Sequence, residues 1–308
     1  MIISRDSQLR NYGSSLWWRV PLIGTILAFP LIGPAALFLA VYGSGAYADF
    51  WTLFLESLLV ALGSVPIGAV LVAVARAIQR DLFPKHPQVA GFTFAAHCTP
   101  ARETGGDFYD FIDLECGRVG VVVADVAGKS IPAALLMANA RSTWPAAAAG
   151  GASPKAVLEW TNRVLCQDVG PWAFVTLFYA IIDPAESSLH FASAGHPPAI
   201  LRHNSSLREL SANGLPLGLV PSAEYVEARV SLPPGDRIIL YTDGIVESLD
   251  AQRRMFGFER FYDTLARLSA ERPQVLVEEI LSAVRDSSGP VEQVDDVTLL
   301  VIQAERSL

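Results

Sequence analysis

The run Val121-Val122-Val123-Ala124-Asp125-Val126-Ala127-Gly128-Lys129 decides how this chain is read. An apolar β-type segment ends in an aspartate and a glycine-containing loop, just before a helical pattern that begins at Ile131. A carboxylate in that position stands at the rim of a sheet, where the backbone is free to approach a ligand. Ile238-Ile239-Leu240-Tyr241-Thr242-Asp243-Gly244 repeats the design. Gly105-Gly106-Asp107-Phe108-Tyr109-Asp110 opens another strand, and Asp295-Asp296-Val297-Thr298 precedes the last apolar one. A single Asp-Gly is an ordinary turn. Several carboxylates converging on one rim without basic partners would repel strongly. Hard divalent cations such as Mg2+ or Mn2+, which take oxygen ligands, would relieve that repulsion.

Outward from these motifs, residues 89–308 read as one mixed domain of strands and helices. Strand patterns fall at Phe92–Cys98, Phe108–Asp113, Val119–Ala124, Phe174–Ile182, Leu189–Ala194, Ala199–Arg202, Tyr225–Val230, Arg237–Tyr241 and Val297–Ile302. Tight turns between several of them predict antiparallel hairpins. Helical patterns fall at Ile131–Ser142, Pro154–Gln167, Phe258–Leu268 and Pro273–Arg285, with Ser153-Pro154 as a start signal and Ala146–Gly151 as a flexible loop.

Composition separates this domain from what precedes it. The 308 residues are 51% hydrophobic and 18% charged, against about 25% charged in soluble domains, and the mean hydropathy is +0.35. The first 88 residues hold 6 Lys/Arg and 4 Asp/Glu, whereas the remaining 220 hold 17 and 27, a net of −10. Val20–Tyr42 and Phe50–Ala75 carry few charges and approach the roughly 20 residues that cross a bilayer. Arginines or lysines flank both segments but not the Gly43–Asp49 turn. The expectation is a two-pass hairpin within residues 1–75 in the cytoplasmic (inner) membrane, both termini and the domain of residues 89–308 in the cytoplasm. Residues 76–88 read as a linker broken by Pro84 and Pro87. The net charge of −8 argues against nucleic-acid binding, and the scattered Cys98, Cys116 and Cys166 read as free thiols.

GGDFYD, VVVADVAGKSIPAALLMANAR, FVTLFYAIID, ASAGHPP, LPLGL, YTDGIVES, FGFERF and DDVTLLVI occur in the order found in bacterial SpoIIE-type serine/threonine phosphatases, a branch of the metal-dependent, type-2C-like (PPM) superfamily. The chain resembles that family over residues 89–308. The resemblance implies an α+β fold, a four-layer αββα sandwich of two antiparallel sheets flanked by helices, here preceded by two transmembrane helices. It implies a centre of two divalent cations, Mn2+ or Mg2+. Asp125 would bridge them with help from the Val126 carbonyl, Asp243 and Asp295 would complete the ligand shell of the second metal, and Asp107 would bind at the same centre directly or through water. Asp296, Gly106, Gly244 and Lys129 are lesser candidates, Asp296 as an acceptor behind the ligands and Lys129 as a phosphate contact or a solvated lysine. Asp110 and His196 read as structural. The family usually has Gly-Lys-Gly where this chain has Gly128-Lys129-Ser130, and Ser130 reads as the cap of the helix from Ile131.

Two-metal chemistry would activate a water for in-line attack on phosphorus. In agreement, no cysteine is followed by the arginine of a Cys-x5-Arg loop. The resemblance further implies a phosphorylated protein as partner, such as an anti-sigma-factor antagonist. It associates the helices after Asp125 with regulation, through Ile131, Ala134 and Met137, with membrane or homodimer contacts as the switch. Two other readings use the same residues: a catalytically silent membrane-tethered binding module, and a metal-dependent phosphatase of a small molecule or lipid headgroup.

Overall fold

Alternation along β3 (Val119–Val126) sorts the molecule into layers. Val121 and Val123 enter a core shared by two sheets, whereas Val122, Ala124 and Val126 face helices. A strand buried on both faces divides its side chains in this way because its period is two. The computed structural model describes residues 72–84, 87–168, 170, 173–268 and 272–305, together with Val70. Val74–Leu308 form one compact unit; Met1–Ala73 group separately, nearly all outside the described residues.

One sheet places β2 (Phe108–Asp113), β3, β4 (Val175–Asp183), β5 (Ser188–Ala194) and β8 (Glu227–Ser231) side by side. The other places β1 (Phe92–Thr99), β10 (Val297–Ala304), β9 (Arg237–Tyr241), β6 (Ala199–His203) and β7 (Ser206–Leu210) in that order. Every pairing is antiparallel. Helices α2 (Ile131–Ala148) and α3 (Pro154–Asp168) cover the β3 sheet through Met137, Trp144, Leu158 and Leu165. Helices α4 (Gly257–Arg267) and α5 (Pro273–Ser288) cover the β10 sheet through Phe261, Leu276 and Ile280. The expected αββα sandwich is thus present. A further helix, α1, covers residues 72–82.

Among the described residues no helix is long and apolar enough to cross a membrane. The expected spans Val20–Tyr42 and Phe50–Ala75 fall almost wholly outside those residues.

Local expectations need three corrections. Helix α2 does not stop at Ser142 but continues through Pro145 to Ala148, so the first half of the expected Ala146–Gly151 loop is helix. Trp144 and Ala148 bury in the same core as Met137 and Ala140, and that packing outweighs the one backbone bond a proline removes. Ser130 holds the first position ahead of α2, its carbonyl accepting the Ala134 N–H at 3.0 Å, but with φ 67° and ψ −153° its side chain makes no capping bond. The residue makes the turn itself, in backbone territory that favours glycine. Strand β7 has no counterpart in the sequence reading because it is a largely exposed edge without alternation. Ser153 does meet its role, accepting the Ala156 N–H at 3.4 Å.

Candidate metal centre

Strand parity carries polar residues to one end of the space between the sheets. Asp125 shares the inner face of β3 with Val121 and Val123. Asp107 lies two residues before Tyr109, Thr242 two beyond Leu240 and Thr298 two before Leu300, and all three of those apolar residues belong to the inter-sheet core. Two strands from each sheet therefore end at one rim. The sheets are tied together there: the Thr242 hydroxyl donates to Asp107 Oδ2 at 2.6 Å and accepts the Thr298 N–H at 3.0 Å.

Asp107 is 2% exposed, while Asp125 and Asp243 are partly buried. Burial, reinforced by the negative charge of Asp125, raises the Asp107 carboxyl well above the usual carboxylate range. Burial and the Asp243 charge push Asp125 up to about 7, with Asp295 and Asp296 adding to the effect and a hydrogen bond with Asp107 opposing it. Asp243 is raised by burial, then by Glu247 and Asp295. Desolvated like charges hold protons when nothing positive stands among them. Lys129 is the basic side chain that enters this group, 3.0 Å from Asp295 Oδ2 and 2.7 Å from the Val294 carbonyl, and it is exposed.

Asp296 adds its charge to this group while its oxygens serve the backbone. Its oxygens accept the N–H groups of Ala101 at 2.7 Å, Gly106 at 2.6 Å and Asp107 at 3.4 Å. The loop it holds is tight enough to require glycine. A Cβ on Gly105 would come within 2.3 Å of Asp296 Oδ2, and one on Gly106 within 2.8 Å of the Val126 carbonyl oxygen. Gly244 is closer still, with 1.9 Å from an added Cβ to the Asp296 carbonyl oxygen.

Asp107, Asp125, Asp243 and Asp295, with the Val126 carbonyl, thus meet at one rim, but they are gathered rather than closed. Among the described residues no group of three or more His, Cys, Asp or Glu side chains is spaced as a finished metal shell. The donor chemistry nevertheless fits hard divalent cations: the candidate ligands are all oxygens, Asp107, Asp125 and Asp243 are desolvated and repelled by neighbouring carboxylates, and the one thiol beside them, Cys98, is held protonated by burial and turned to the Asp107 carbonyl at 3.9 Å.

Other singled-out residues lie apart. Asp110, on β2, pairs with Arg141 of α2 at 3.2 Å and holds that helix to the sheet. His196 is 7% exposed, contacts the Thr176 hydroxyl through Nδ1 at 2.9 Å, and is pushed by burial down to about 3. It is neutral at physiological pH and not a proton carrier there. Of the residues expected in a regulatory helix, Met137 is core, Ala134 is partly buried and Ile131 is exposed beside the Lys129 loop. Sequence reasoning passed over Thr242, although its place between Tyr241 and Asp243 fixes its face.

A family profile described as Stage II sporulation protein E (SpoIIE) matches residues 115–305. The chain belongs to the SpoIIE family of protein serine/threonine phosphatases. It is 32% identical over 239 residues to the phosphoserine phosphatase RsbU of Bacillus subtilis, covering 75% of this chain and 69% of that protein. Among solved structures it is similar to the SiaA-PP2C domain of Pseudomonas aeruginosa, with TM-score 0.70, 25% identity, and coverage of 79% of this chain and 99% of that one. It is also similar to the RsbU and RsbW domains of Rv1364c from Mycobacterium tuberculosis, with TM-score 0.64 and 30% identity over 72% of this chain and 62% of that one. For this SpoIIE-family chain, the profile spans Asp125, Asp243 and Asp295 and begins after Asp107.

Proposed function

We propose that the chain is a membrane-anchored, metal-dependent phosphatase that removes phosphate from serine or threonine on a bacterial signalling protein. The observation that carries the reading is the gathering of Asp107, Asp125, Asp243 and Asp295 at one rim, with Asp107, Asp125 and Asp243 pushed toward their protonated forms. Asp125 would hold both cations, Asp243 and Asp295 one of them, and Asp107 and the Val126 carbonyl would add oxygens. When bound, such a pair of Mn2+ or Mg2+ ions supplies an activated water and offsets charge on the phosphoryl oxygens. The chain's own residues do the positioning. Thr242 orients Asp107 through a 2.6 Å hydrogen bond, and Asp296 fixes the loop ahead of it. Lys129 keeps a cationic group at the mouth of the site, where it can turn from Asp295 to a phosphate.

Likeness to the phosphoserine phosphatase RsbU supports phosphoserine as the group removed, and the substrate class in this reading is a small phosphorylated regulator such as an anti-sigma-factor antagonist. The apolar segments Val20–Tyr42 and Phe50–Ala75 support anchoring in the inner membrane with the phosphatase on the cytoplasmic side. Packing of α2 against α3 would regulate cation occupancy; Ala134→Arg should then alter activity or oligomeric state.

Phosphate release from a phosphoserine peptide and from a phosphorylated anti-sigma-factor antagonist, with Mn2+ present, tests the reading. Release that disappears in Asp125→Asn and Asp243→Asn supports it. Mn2+ binding without release from any phosphoprotein contradicts it and favours the silent module; release from a lipid headgroup alone favours the third reading.

A further inference from the structure

The helix ahead of the sandwich reaches the metal centre. On α1 the Gln79 side chain is 7% exposed, although Arg76, Ala77, Ile78 and Arg80 around it are exposed. Its amide pairs with both polar groups of one peptide residue. Nε2 donates to the Gly105 carbonyl at 2.7 Å, and the Gly105 N–H donates to Oε1 at 3.1 Å. A carboxamide carries the donor and acceptor of a peptide group, so it holds Gly105 as a neighbouring strand would.

The loop so held leads straight to candidate ligands. Asp296 Oδ2 accepts the Gly106 N–H at 2.6 Å, and Gly106 lies against the Val126 carbonyl, where an added Cβ would come within 2.8 Å. Asp107 follows directly. A shift of the Gly105 peptide therefore displaces Asp107 and the contact at Val126 together. Space for such a shift exists: a cavity of about 310 Å³ is bounded by Gln79, Cys98, Gly105, Asp107 and Asp296. Phe83, just beyond α1, packs its ring 5.5 Å from that of Tyr109 on β2 and anchors the helix end to the same strand.

We propose that Gln79 is a positioning residue of the metal centre: its paired hydrogen bonds to Gly105 set Asp107 and the Val126 carbonyl for cation binding. This role rests on the metal-dependent reading above. It makes α1 part of the working site, so that a displacement of this helix changes cation affinity and leaves the turnover of a loaded site nearly unchanged.

Mn2+ titration of the purified full-length protein, followed by calorimetry and by phosphate release from a phosphoserine peptide, tests the role. Gln79→Ala should weaken Mn2+ binding and raise the Mn2+ concentration for half-maximal rate by about 10-fold or more, with kcat at saturating Mn2+ within about two-fold of wild type. Gln79→Glu, which keeps an acceptor for the Gly105 N–H but loses the donor, should fall between, and it retains the shape if the alanine variant folds poorly. Ile78→Ala, on the exposed face, should match wild type. Unchanged Mn2+ affinity in folded Gln79→Ala and Gln79→Glu overturns the role, as does a loss of kcat or of thermal stability with affinity intact. A wild-type chain that binds no Mn2+ overturns the metal-dependent reading and this role together.

Discussion

In the β3 sheet the acidic rim is made of side chains: Asp107 and Asp125 stand on the inner face, linked to each other and pushed toward protonation. In the β10 sheet the matching rim is backbone pressed on backbone, with no room for a Cβ on Gly244 beside the Asp296 carbonyl. Both sheets use an apolar strand ending in aspartate and Asp243 is raised as well, yet repulsion is stronger at the first rim and steric closeness at the second. The first should respond to pH and cations, and the second to volume.

Gly244→Ala should produce the largest effect, a loss of about 3 kcal/mol or more with all metal-dependent activity, read by urea unfolding and phosphate release. Gly128→Ala, on the β3 side, has φ +105° but nothing within 4 Å of an added Cβ. It should cost only about 1–2 kcal/mol of strain. Equal losses in the two variants would erase the distinction.

Asp125→Asn should lower activity by more than about 100-fold and yet stabilise the cation-free protein at pH 8 by about 1–3 kcal/mol. Asp125 is raised to about 7 in the folded chain. Its contribution to stability is therefore present below the unfolded value near 4 and lost as pH rises through about 7. Thermal unfolding from pH 4 to 8, with Mn2+ removed, should show a gap between wild type and Asp125→Asn that widens with pH. A constant gap would contradict the stored repulsion.

His196 tests the β3 sheet in the opposite direction. Its pKa falls to about 3 on folding, so the unfolded chain binds the extra proton between that value and about 6.5. Stability present above pH 6.5 should decline below it, by about 2 kcal/mol at pH 5 from this residue. Subtracting the profile of His196→Gln isolates that slope. The smallest effect belongs to Ser130→Gly, which should add about 1 kcal/mol by relieving the positive φ, read as a raised Tm.

The apolar runs at Val121–Val126 and Ile238–Tyr241 made the strands legible and the resemblance of the ordered motifs implied the layers; strand parity then explains how a strand buried on both faces serves two cores. The same parity marks Asp125 and, in hindsight, Thr242. What the sequence did not disclose depends on packing between distant segments. Pro145 reads as a helix end until Trp144 and Ala148 find their core. Ser130 reads as a side-chain cap until its φ is known. Gln79 lies within the stretch read only as a linker; its partner, the Gly105 peptide, is 26 positions away. The carboxylates were readable as motifs, but the tie from Thr242 to Asp107 joins residues 135 positions apart.

The central claim, that the gathered aspartates form a two-cation centre, is tested most directly by counting bound Mn2+ per chain after equilibrium dialysis of the full-length protein. The account predicts about two ions in wild type and fewer than two in Asp243→Asn. A wild-type chain that retains none, or an Asp243→Asn chain that retains as many as wild type, would contradict it.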